Sequence, residues 1–136
     1  MKAFHLITMI ASLGLLAGCT AQNGMQQTAR ADRVPAAKPA GPMQGCIPLA
    51  QIRESRVRDD RTIDFRVGSQ WYRNTLPYQC SSLGFERAFS YETSLSQLCS
   101  TDIIHVLQHF GDTLEPATAC GLGQFQPIEL EKQPKM

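Results

Sequence analysis

The sequence predicts a mainly β fold, a small antiparallel barrel or sandwich of five or six strands stapled by disulfides. Three observations lead there. Apolar and polar residues alternate with a period of two on either side of Gly68-Ser69, and β-branched and aromatic residues gather in short runs between turn residues. Four cysteines are spread over a segment of about 85 residues, a size at which a hydrophobic core is marginal and covalent staples are usual.

The chain of 136 residues has room for one small domain. Its 13 Lys plus Arg against 12 Asp plus Glu give a formal charge of +1, which argues against nucleic acid as a partner. At the start, Lys2 precedes an apolar run from Ala3 to Leu16 that is shorter than the roughly 20 residues of a membrane-spanning helix, so residues 1–18 read as a signal peptide. The run closes on Leu16-Ala17-Gly18-Cys19, which resembles the lipobox of bacterial lipoproteins. That resemblance implies a diacylglyceryl thioether on Cys19 and cleavage before it, leaving an N-terminus acylated by a further fatty acid such as palmitate. Two lipid signals make a stable anchor where one would hold only marginally. By the same resemblance, Thr20 in place of Asp after the lipidated Cys implies transfer to the outer membrane, on its periplasmic face. Loss of residues 1–18 leaves 12 basic and 12 acidic side chains, so net charge alone would not hold the protein to a surface.

Residues 19–45 follow as the lipidated Cys and a flexible tether. They have no aromatic residue and almost no branched aliphatic one, and so bury too little surface to offset ordering entropy. Such a tether has an r.m.s. span of about 28 Å and a maximum reach of roughly 85 Å. The folded domain is expected over 46–130, with a short C-terminal tail at 131–136.

Within the domain, a first strand is expected around Ile47 to Val57, ended by a turn at Asp59-Asp60. The clearest signal is a hairpin from Thr62 to Leu76. Ile63, Phe65 and Val67 alternate with Thr62, Asp64 and Arg66, and Gly68-Ser69 suits a two-residue type II′ turn. With Val67 facing Gln70, Phe65 falls opposite Tyr72 and Asp64 opposite Arg73, an aromatic pair on one face and an ion pair on the other. Phe85 to Glu92 alternates well enough for a strand. From Leu95 to Phe110 the apolar spacing is helical while the composition is β-branched; a turn at Ser100-Thr101-Asp102 followed by a strand is the preferred reading. Gly111 to Thr118 reads as a loop, and Cys120 to Leu130 as a closing strand with Pro127 near an edge.

Export would place Cys46, Cys80, Cys99 and Cys120 in an oxidising compartment, where an even count at wide spacing reads as two disulfides. The gaps contain no Cys-x-x-Cys pair, which argues against a zinc site. Three connectivities are possible. Cys80 with Cys99 and Cys46 with Cys120 are favoured, the first for its short loop and the second for tying the first segment to the last.

Arg53, Arg56, Arg58, Arg61, Arg66 and Arg73 crowd one stretch, offset by Glu54, Asp59, Asp60 and Asp64, whereas residues 80–136 carry three basic and seven acidic side chains. Such asymmetry suits either an anionic partner, such as lipid phosphate or an acidic protein surface, or cross-strand pairing on a solvated sheet. Arg66, Trp71, Tyr72 and Arg73 are the candidate binding residues, with Trp71 and Tyr72 also fitted to fill the core and its rim. Residues at i and i+4 share a face on either a helix or a strand, so Asp102, His105 and His109 are expected to approach one another as a feasible metal or acid/base set. No His-Glu-x-x-His or Gly-x-Ser-x-Gly motif accompanies them, and the sequence points to no cofactor.

Taken with the lipobox, the pieces Cys46-Ile47, Asp59-Asp60-Arg61-Thr62-Ile63, Leu76 to Cys80, Leu98-Cys99 with Asp102, and Cys120-Gly121-Leu122-Gly123-Gln124-Phe125 resemble a family of short Gram-negative envelope lipoproteins, a domain of unknown function. The resemblance implies a β-rich, disulfide-bearing domain over nearly all of residues 46–128 and assigns no catalytic residue. Two functions follow as expectations. One is a non-catalytic binding or envelope assembly module that docks an envelope protein or anionic ligand. The other is a small hydrolase or metal-dependent enzyme using Asp102, His105 and His109.

Overall fold

The computed structural model describes residues 34–93 and 95–132. The expected signal peptide, Cys19, the tether up to residue 33 and the last four residues of the tail lie outside the described residues. The described strands are β1 (Ala37–Pro39), β2 (Cys46–Pro48), β3 (Ile52–Val57), β4 (Thr62–Val67), β5 (Gln70–Thr75), β6 (Phe89–Tyr91), β7 (Gln97–Cys99), β8 (Ile103–Phe110), β9 (Thr113–Gly121) and β10 (Phe125–Leu130). A 3₁₀ turn spans Leu49–Gln51 and a one-turn helix, α1, spans Leu83–Glu86. The fold is mainly β, as expected, and the six strands of six or more residues form its frame.

All pairings are antiparallel and form three sheets, a five-stranded one in the order β1-β10-β5-β4-β3, a pair β2-β7, and a three-stranded one in the order β6-β8-β9. No sheet closes on itself, so the architecture is sandwich-like rather than a barrel. Ile63, Phe65 and Val67 of β4 and Phe125 of β10 form one side of the core; Ile47, Leu98, Ile104 and Val106 form the other. Phe65 sits at the centre, edge-on to Phe89 at 6.1 Å and to Phe125 at 5.7 Å.

The central hairpin has the register read from the sequence. Val67 pairs with Gln70, Phe65 with Tyr72 and Asp64 with Arg73. Gly68 has φ +60° and Ser69 does not share it, as a type II′ turn requires. The turn at Ser100 and the strand after it are also as read, the β-branched residues of β8 outweighing their helical spacing.

Other elements differ, each for a local reason. The expected strand from Ile47 to Val57 is broken by the 3₁₀ turn, which hands the chain from the β2-β7 pair to the five-stranded sheet. Residues 85–92 are not one strand: Asp60 accepts a hydrogen bond from Gly84 N at 2.7 Å, Ser82 and Arg87 take left-handed conformations with φ 69° and 54°, and α1 ends before β6 begins. Residues 111–118 are not a loop. Gly111, with φ +64°, starts a two-residue turn, and β9 returns along β8, one extra residue between Pro116 and Ala119 marking a bulge. The closing strand starts at Phe125 rather than Cys120.

Pro127 lies inside β10, opposite Tyr72, rather than at a sheet edge. Its carbonyl accepts from Ala40 N at 2.8 Å, so its ring nitrogen faces the end of β1, where no ladder donor is needed. The pairing of β1 with β10 and the bridge from Gln44 to Phe125 also place order before Cys46, in a stretch expected to be tether. Its prolines suit an edge strand, and a neighbour's backbone supplies what its side chains lack.

Both disulfides form, but as Cys46–Cys99 and Cys80–Cys120, not in the favoured pairing. Cys46 and Cys99 are directly opposed across β2 and β7, with Cα atoms 4.0 Å apart. Loop length misleads here because Cys80, following β5, is held by its N–H on the Asp60 carbonyl and meets the far end of β9, at a Cα separation of 5.8 Å from Cys120.

Candidate functional site

Directly opposed residues share a face, so the register divides the five-stranded sheet into two surfaces. Phe65, Tyr72, Asn74 and Phe125 face the core. Glu54, Arg56, Asp64, Arg66, Trp71, Arg73 and Ile128 share the outer face. This outer face gathers the tryptophan and three of the six arginines singled out from the sequence, and Arg58 reaches it from the end of β3.

Its centre is a buried carboxylate. The Asp64 side chain is 0% exposed and accepts from Arg58 Nε at 2.8 Å and from Arg73 Nε at 2.8 Å, with Arg73 Nη2 at 3.0 Å. Arg58 and Arg73 are 15% and 16% exposed. A carboxylate removed from water is tolerable with two guanidinium partners in good geometry, and the trio leaves one excess positive charge on this face. Arg73 also donates to the Pro35 carbonyl at 3.0 Å, tying the chain before β1 to the outer face.

Beside this trio the Arg56 guanidinium lies over the Trp71 ring at 5.0 Å and pairs with Glu54. Arg66, between Glu54 and Trp71 in the register, is exposed and makes no side-chain hydrogen bond or ion pair among the described residues. Ile128, the register partner of both Trp71 and Pro39, is 4% exposed and so adds no apolar surface to this face. Of the four candidate binding residues, exposed Arg66 and half-buried Trp71 are register partners on the outer face. Tyr72 packs on the core and Arg73 is committed to Asp64.

The Asp102, His105, His109 set is not assembled. Asp102 Oδ2 accepts from Cys99 N at 2.7 Å, closing the turn before β8. His105 and His109 both lie on β8, where an interval of four residues separates Cα atoms by roughly 13 Å, more than twice the helical spacing. Among the described residues no group of three or more His, Cys, Asp or Glu side chains is placed to hold a metal ion.

Other polar side chains fix the scaffold under this face. Buried Asn74 donates to Gly123 O at 2.7 Å and accepts from Gly123 N at 2.8 Å, locking the chain before β10 onto β5. A Cβ at Gly123 would fall 2.1 Å from the Thr75 carbonyl oxygen, so the approach requires glycine. Arg61 donates to the carbonyls of Leu76 and Pro77, and Asp59 accepts from Arg61 N, making the Asp59-Asp60 turn a clamp. Nothing local in the sequence marks these partners except Gly-rich 121–123 beside a strand, which signals close backbone approach. Compared with family models, with curated proteins and with solved structures, the chain finds no significant match.

Proposed function

We propose that the protein is a lipoprotein anchored to the outer membrane through Cys19, facing the periplasm, and that it works as a non-catalytic binding or envelope assembly module through the outer face around Arg56, Arg66 and Trp71. The observation that carries this reading is Leu16-Ala17-Gly18-Cys19 at the close of a short apolar run, with the resemblance to lipobox-bearing envelope lipoproteins that it begins. Two disulfides in so small a domain are in keeping with an oxidising compartment. Binding rather than chemistry is favoured because the polar groups buried in the domain are engaged in holding the fold, as Asp64 and Asn74 are. The arginine–tryptophan face offers charge, planar donors and an aromatic surface to a partner. A hydrolase or metal enzyme built on Asp102, His105 and His109 is the weaker reading, given the span of β8 between the two imidazoles.

The test is mass spectrometry of the N-terminal peptide from membrane-extracted protein, with fractionation of a Cys19→Ser variant. An acylated Cys19, and a variant that is unprocessed or released from membranes by carbonate, are expected. An unmodified Cys19, or unchanged membrane retention of the variant, contradicts the anchor.

A further inference from the structure

The positive charge of this domain lies on the side from which its chain arrives. On the outer face, Arg56, Arg58, Arg66 and Arg73 face two carboxylates, Glu54 and Asp64, and exposed Arg53 sits at the bulge where β3 slips against β4. The acidic excess of residues 80–136 includes exposed Asp112 and Glu115 at the tip of the β8-β9 hairpin. That hairpin belongs to the sheet packed on the opposite side of the core. The molecule therefore has no net charge of consequence but a marked polarity across its two layers.

The chain that leads back towards Cys19 leaves from this same face. Arg73 holds the Pro35 carbonyl on the outer face. From Cys19 to Val34 the intervening chain can extend at most roughly 50 Å, so a lipid on Cys19 keeps this face within that distance of a bilayer. Tethering over such a length corresponds to effective concentrations in the millimolar range, at which individually weak contacts are occupied. Trp71 adds an amphipathic ring of the kind that settles at the headgroup level.

We infer that the face bearing Arg56, Arg66 and Trp71 docks on the anionic phospholipid surface in which Cys19 is anchored, turning the acidic β8-β9 hairpin away from the membrane. This rests on the lipid-anchor reading and names the partner of the same face. Guanidinium groups meet lipid phosphates through paired N–H donors, Arg66 supplies the unpaired charge, and Trp71 supplies the apolar contact.

Trp71 is the chain's one tryptophan, so its fluorescence reports this face alone. The experiment uses the chain from Cys19 onward, with the four other cysteines oxidised and Cys19 coupled to a maleimide-headgroup phospholipid. The coupled protein is inserted in vesicles of phosphatidylcholine with or without phosphatidylglycerol, both containing chains brominated near the headgroup. Trp71 quenching should be at least twofold greater with phosphatidylglycerol and should fall at 0.5 M salt. Arg66→Gln, which breaks no contact of the fold, should lower the docked population roughly fivefold. Equal quenching in the two vesicles, or no response to salt and to Arg66→Gln, overturns the inference; that is the result expected if an acidic protein is the true occupant. Chemical anchoring separates this outcome from failure of the lipoprotein reading, which mass spectrometry of the native N-terminus decides.

Discussion

Removing the Cys80–Cys120 bridge by Cys80→Ala with Cys120→Ala should cost the domain a large share of its stability. The bridge spans a sequence separation of 40, and on the chain-entropy model a loop of that length restricts the unfolded chain by about 4 kcal/mol at 25 °C. Cys80 is also fully buried against the core, so its truncation leaves a small void that adds to the loss. A domain of this size has a total stability of about 5–15 kcal/mol. One kcal/mol moves the midpoint of such a domain by about 4–8 °C, so thermal unfolding followed by circular dichroism should show Tm lowered by roughly 15–30 °C. Non-reducing peptide mapping of the parent protein should meanwhile show Cys46 joined to Cys99 and Cys80 to Cys120. A Tm change of less than about 5 °C would mean that the packed layers stand without the tie between them.

Asp64→Ala leaves Arg58 and Arg73 facing each other with little access to water, and should lower stability by about 3–5 kcal/mol in urea titration; a change within about 0.5 kcal/mol would show that the trio is solvated. Gly123→Ala forces the chain off the Thr75 carbonyl and opens the paired bonds to Asn74. It should destabilise by about 2 kcal/mol or more in the same titration, and a neutral result would contradict the close approach. The double variant His105→Ala with His109→Ala should keep the parent's Tm within about 3 °C and its metal content by atomic emission. Loss of stoichiometric metal on that replacement would revive the enzyme reading.

What the sequence makes legible here is short-range. The β4-β5 hairpin, its register, and the pairings of Phe65 with Tyr72 and Asp64 with Arg73 follow from a period of two on both sides of a Gly-Ser turn, because a one-residue slip would turn every side chain to the wrong face. The same parity separates Tyr72, on the core, from Trp71, on the outer face, although the two were expected to share one role. Long-range partners are not encoded that way. Nothing local marks Arg58 as a second partner for Asp64, Pro35 as the acceptor for Arg73, or Gly123 as the mate of Asn74. The cysteine pairing escaped for the same reason, since it depends on which strands become neighbours. β9 was hidden by Pro116 and Gly111, which resemble loop residues but serve a bulged strand and its tight turn. The His105 and His109 interval shows that a shared face is not a contact, because on β8 two residues four apart lie on one face and are still separated by roughly 13 Å.

Whether the working surface is the outer face around Arg66 or the β8-β9 hairpin is decided by photocrosslinking in intact cells. A photoreactive amino acid replaces exposed Ser69, in the turn beside the Arg66 and Trp71 pair, in one variant and Asp112 in another, so that the arginines of the face are kept. Adducts to membrane phospholipid or to an envelope protein are expected from position 69, and none above background from position 112. Adducts from position 112 with position 69 silent would show that the hairpin is the working surface.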